Sequence, residues 1–146
     1  MPSFTRRKIV QLGVAAAVAL QFPSLAFADF LATKPRAVFQ VSDADPQKWN
    51  LTLANVGNAQ EALGKDAADL EIVAFGPGID MLKKDSPVAA RVAEALRNGV
   101  RIVACQNTMR ARKLTPADML PEVGYVPSGV VEIMQREREG YAYLRS

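Results

Sequence analysis

Histidine is missing from this chain, and cysteine occurs only once, at Cys105. Without an imidazole, Ser–His–Asp triads and Cys–His hydrolysis are excluded. One thiol and no histidine also rule out ordinary zinc, haem and iron–sulfur ligation by this chain alone, and leave no intrachain disulfide. The sequence holds no internal repeat and no low-complexity tract. An oxygen-ligand metal site built from Asp43, Asp45 and Asp80 is conceivable, but loop aspartates are more often caps or solvated, so no metal and no cofactor are expected. What survives is chemistry that a thiolate performs without a partnered base: exchange, or carriage of a group as a covalent adduct.

Charge is unevenly spread. Arg6, Arg7 and Lys8 stand in the string Thr5-Arg-Arg-Lys-Ile-Val10 and no acid precedes Asp29, so the first 28 residues account for the whole net charge of +3. A mostly apolar stretch, Leu12 to Leu20, follows, then Pro23 and the small-x-small pattern Ala26-Phe-Ala28. Such a segment reads as a twin-arginine type signal peptide cleaved before Asp29. An uncleaved anchor fits less well, because Gln11, Gln21 and Pro23 bound a run shorter than the roughly 20 residues a span requires. The expected mature protein is periplasmic and electrically neutral. That gives no case for nucleic acid as a partner, nor for a membrane once the signal is removed. Residues 29–146 suit one compact domain.

Strand and helix signals alternate along that domain. Arg36–Val41 predicts a strand, ending in the turn-rich Ser42–Pro46. Asp45 before Pro46 predicts a capped helix over 46–63, with Trp49, Leu53, Val56 and Leu63 on one stripe and Asn50, Asn55 and Asn58 off it. Leu70–Phe75 predicts a second strand closed by Gly76-Pro-Gly78. Ser86-Pro87 opens a helix that Asn98-Gly99 ends, and the β-branched run Val100–Ala104 predicts a buried strand. Gln106–Leu114 reads as helix, and Thr115-Pro-Ala-Asp118 as a cap. A short extended piece at Gly124–Pro127 precedes a helix capped by Ser128 and running through Glu139. A strand at Tyr141–Arg145 comes last. This grammar predicts an α/β fold with a mainly parallel sheet of about five strands.

In open parallel sheets, sites lie beyond the carboxyl ends of the strands. Here that edge would gather Ser42–Asp45, Gly76–Gly78, Cys105–Thr108 and Pro127–Gly129. Cys105 stands at a strand-to-helix junction, where unpaired N–H groups and the positive helix end favour thiolate. Arg110, Arg112 and Lys113 follow closely enough to add positive charge, although a solvated basic face is the plainer reading. Gly76 and Gly78 permit close backbone approach, as a turn also would; neither the spacing nor a following lysine makes them a phosphate loop. A buried cysteine that merely fills space is the competing reading of Cys105, and a thiol that pairs between chains is a third.

Several stretches together carry a family likeness. They are the strand ending at Ser42-Asp43, the helix with Asn55 and Asn58, and Glu71-Ile-Val-Ala-Phe-Gly76-Pro-Gly78. Gly99-Val-Arg-Ile-Val-Ala-Cys105-Gln-Asn-Thr, Val126-Pro-Ser-Gly129-Val-Val-Glu-Ile and Gly140-Tyr-Ala-Tyr continue the pattern. From about Arg36 to Leu144 the chain resembles the DsrE/DsrF-like family of small sulfur-relay proteins. The resemblance implies a three-layer α/β/α domain, commonly trimeric or hexameric, in which Cys105 matches the position that carries a persulfide. The leading expectation is then an exported homo-oligomer whose Cys105 accepts sulfane sulfur from a donor protein and passes it to an acceptor. Gln106, Asn107 and Thr108 would face the sulfur, with Gly76 and Gly78 shaping access. The alternative is a non-enzymatic periplasmic binding or assembly module in which Cys105 is structural.

Overall fold

The computed structural model describes residues 33–146; the expected leader, residues 1–28, lies outside them. In chain order the elements are β1 (Arg36–Val41), α1 (Pro46–Leu63), β2 (Asp69–Ala74), α2 (Ala89–Arg97), β3 (Arg101–Cys105), α3 (Gln106–Arg112), β4 (Gly124–Val126), α4 (Gly129–Arg138) and β5 (Ala142–Arg145). The five strands form one sheet in the order β4-β3-β2-β1-β5. Every pairing is parallel. Helices cover both faces, so the three-layer α/β/α architecture expected from the sequence is the one observed.

Period-two alternation divides the sheet's side chains between two unequal cores. Phe39, Ile72, Ile102 and Ala104 point to the face of α1 and α2, where Trp49, Leu53, Val56 and Val92 complete a large apolar cluster. Burying each of those larger side chains is worth about 1.5–3 kcal/mol. Val38, Val73 and Val103 point the other way and meet Val126 and Ile133 in a much smaller cluster under α4. The first core holds the molecule together; the second does little more than seat one helix.

Helix α1 begins as its sequence predicts: Asp45 is the N-cap and accepts the Gln47 N–H at 2.9 Å, with proline in the first turn. Other boundaries moved. The Gly-Pro-Gly segment is not a simple turn but opens a 3-10 helix over Gly76–Leu82, whose Ile79, Met81 and Leu82 are fully buried. Helix α2 starts at Ala89, later than Ser86-Pro87 suggested, because Ser86 forms a turn: its Oγ accepts the Val88 N–H at 3.3 Å. Cys105 belongs to β3 itself. Helix α3 stops at Arg112, since Lys113 adopts a left-handed conformation at φ 56°. The Thr115/Asp118 capping box is present but heads only the 3-10 turn Pro116–Asp118.

The strand carboxyl ends interlock. A Cβ added at Gly78 would lie 2.4 Å from the Val41 carbonyl oxygen and 2.8 Å from the Ser42 Cα, so only glycine lets the β1 and β2 ends touch. Gly78→Ala is therefore expected to destabilise the domain by about 1–3 kcal/mol, the usual penalty for overpacking. Chemical denaturation measures it, and an unchanged midpoint would contradict this packing.

Candidate thiolate site

Strand β3 hands the chain to α3 on the face of the large core, where Met109 is buried. Strand β4, its neighbour, hands the chain to α4 on the opposite face, where Ile133 is buried. The two crossovers part between adjacent strands, and that divergence is where ligand crevices form in parallel sheets. Cys105, the last residue of β3, shares the α4 side with Val103 by alternation. It therefore lies at the parting, between the first turn of α3 and the first turn of α4.

Both helix starts point donors at the sulfur. Burial pushes the Cys105 thiol up, but the Gly129 N–H, the Thr108 N–H and hydroxyl, and the Asn107 N–H outweigh it and hold the group below its ordinary value. Helix N-termini leave such N–H groups without intrahelical partners, so they are available to a thiolate beside them. Thr108 is itself held: its Oγ1 accepts the Gly76 N–H at 2.9 Å. The hydroxyl hydrogen is thereby free to face the sulfur. The Asn107 N–H also reaches the Pro127 carbonyl at 3.2 Å, tying the start of α3 to the end of β4.

Of the residues singled out in the sequence, Cys105, Asn107, Thr108 and Gly76 converge. Gln106 is exposed; its side chain lines a groove of about 240 Å³ with Met109, Arg110 and Tyr125. Tyr125 pairs with Ala104, so that groove opens on the face opposite the thiol. Gly78 serves packing against β1 rather than the sulfur. The Ser42–Asp45 loop touches Gly78 but contributes no donor to Cys105.

Arg110 and Arg112, which follow the thiol in sequence, are engaged with other partners. Arg110 is bonded to the Asn107 Oδ1, and Arg112 pairs with Asp80 at 2.9 Å. The three loop aspartates have separate tasks: Asp45 caps α1, Asp80 holds Arg112, and Asp43 binds Arg145 at 3.1 Å and Lys48 at 3.3 Å.

The sequence gathers Pro127–Gly129 at this edge but assigns Gly129 no role at the sulfur. A Cβ there would meet the Phe75 ring at 2.9 Å, so glycine permits α4 to begin close over the sheet. The signal was present: Ser128 at an N-cap makes the next residues' N–H groups available, and their strand is β3's neighbour only once the sheet order is known. The sulfur is also less open than the sequence suggested. Cys105 is 4% exposed, enclosed by polar donors on the α3/α4 side.

The DsrE/DsrF-like family profile matches residues 36–145. This chain belongs to that family. It is also similar to a solved protein of unknown function from Methanobacterium thermoautotrophicum, at 37% identity and a TM-score of 0.73, covering 77% of this chain and 99% of that one. Two further solved structures share the fold at 14% identity. One is a conserved protein of unknown function from Bacteroides thetaiotaomicron, with a TM-score of 0.64 over 80% of this chain and 97% of that one. The other is the ychN protein of E. coli, with a TM-score of 0.63 over 77% and 99%. No curated protein matches the chain. At family level, membership supports a function of the sulfur-relay type.

With four donors facing it, Cys105 is expected to titrate below the ordinary value of a free thiol. Thr108→Val removes one donor to a charged acceptor, worth about 1.5–3 kcal/mol, and should raise the midpoint by at least about one pH unit. The 13Cβ shift of Cys105 followed against pH reads both values, and equal midpoints in the two proteins would refute the role of the hydroxyl.

Proposed function

We propose that this DsrE/DsrF-like protein carries sulfane sulfur as a persulfide on Cys105, after export to the periplasm. The observation that carries the reading is the pair of helix starts whose N–H groups face one sulfur, because they favour its anion. In the loading step the Cys105 thiolate attacks the terminal sulfur of a donor persulfide. A sulfur–sulfur bond forms to Cys105, the donor's own sulfur–sulfur bond breaks, and the donor leaves as a thiolate while the terminal sulfur keeps its proton. Delivery is the reverse exchange with an acceptor thiolate, releasing Cys105 as thiolate. No external oxidant or reductant is needed. A stabilised Cys105 anion serves both directions, since it is present to attack and leaves readily.

Export rests on the twin-arginine pattern of residues 5–28. Self-association is supported by the exposed apolar side chains of α4 and β5: Val130 is 55%, Met134 58% and Leu144 44% exposed. All-parallel sheets are normally covered on both faces, and here one ten-residue helix covers the second face. Met134→Glu in the mature protein should lower the assembly state measured by analytical ultracentrifugation. A monomeric wild type would overturn this part of the reading.

A second reading has its own observation. The low exposure of Cys105 favours a structural thiol within a binding or assembly module. Intact mass after incubation with polysulfide separates the two. Sulfur adducts on the wild type that disappear in Cys105→Ser support carriage. An unmodified wild type, alkylated at an ordinary rate only after denaturation, supports the structural thiol.

A further inference from the structure

We infer that Glu71, with Arg101, Glu132 and Arg136, is a positioning device for Cys105: this buried ion cluster sets the seat of α4 and so aims the Gly129 N–H at the sulfur. The inference deepens the reading of Cys105 as a stabilised thiolate and rests on it.

Helix α4 is packed inside out. Ile133 is its one buried large apolar side chain, while Val130, Val131 and Met134 point to solvent. Its inner face instead carries charge. Glu132 is 8% exposed, and below it Glu71 of β2 is 1% exposed. Arg136 of α4 contacts Glu71 and lies 2.9 Å from Glu132. Arg101 of β3 reaches Glu71 at 3.1 Å and Glu132 at 3.5 Å. From β1, the residue paired with Glu71 is the apolar Val38, and at the helix end Glu139 binds Arg136 at 2.8 Å.

Apolar area alone would seat a helix without fixing its register. Buried ion pairs add little net stability, and their best-attested use is to specify one arrangement among several. Here the specified element is the one that begins at Gly129. Glu132 lies one helical turn from Gly129 on the same face, so a shift of Glu132 is transmitted along a rigid helix to the donor at the sulfur. Gly129 already rests against Phe75, which leaves no slack toward the sheet. The cluster is also finely poised. Burial raises the Glu71 carboxyl to about 7 against the pull of both arginines, and neither of its oxygens makes an aligned hydrogen bond.

The test follows Cys105 ionisation by its 13Cβ shift, which needs neither solvent access nor sulfur transfer. Failure of the persulfide reading therefore leaves this measurement intact. Glu71→Gln and Arg136→Lys should each raise the Cys105 midpoint by about half a unit or more, a threefold or greater loss of thiolate at a fixed pH below it. Val131→Ala, on the outer face, should not. In the Cys105→Ser protein, which needs no change in the cluster, the Gly129 amide resonance should move as the Glu71 carboxyl titrates. Folded variants with an unchanged midpoint overturn the inference. If the cluster variants do not fold, a Gly129 amide indifferent to Glu71 titration overturns it.

Discussion

Two helix N-termini meet at one sulfur because adjacent parallel strands send their crossovers to opposite faces of the sheet. A strand that ends beside such a parting has a helix start on each side, and each start brings N–H groups with no partner inside its own helix. Cys105 ends β3 at that place. Helix-start N–H groups favour a thiolate without the help of an imidazole, which this chain lacks. The same constraint explains the glycines at this edge. Backbone must come within contact distance of backbone at Gly78 and of an aromatic ring at Gly129, and any side chain there would push the loops apart.

The two faces of the sheet do different work. The face under α1 and α2 holds the large apolar core and supplies most of the stability. The other holds a thin apolar strip and a charged cluster, with much of the helix's apolar surface turned outward. A face built in this way is poorly explained by the stability of one chain. Its inner side is held by ion pairs, and its outer side leaves Val130, Val131 and Met134 exposed. The ion cluster and the exposed valines and methionine are two aspects of one helix that begins at the sulfur.

Much of this arrangement was legible in the residues, for identifiable reasons. Strands with β-branched runs, the Asp45-Pro46 start and the Trp49/Leu53/Val56 stripe all report local periodicity, and each element they implied exists. The likeness around Cys105 extended that to family and fold. Misjudged boundaries were those where tertiary packing overrode local pattern: Gly76-Pro-Gly78 continues into a buried 3-10 helix because Ile79, Met81 and Leu82 have a core to enter. Arg110 and Arg112 looked like neighbours of the thiol by spacing, yet are engaged with Asn107 and Asp80.

By itself, the sequence determined the alternation of strand and helix, the apolar stripe of α1, and the placement of a lone thiol at a strand end, since all three follow from periods of a few residues. Only the tertiary structure decided that the Gly129 N–H, 24 positions after Cys105 in the chain, helps hold its thiol below the ordinary value. Likewise it decided that Glu71, Arg101, Glu132 and Arg136 meet under α4. Those contacts depend on strand order and on which face each crossover takes. Neither leaves a local signature, because they are settled by the packing of whole elements rather than by the preferences of neighbouring residues.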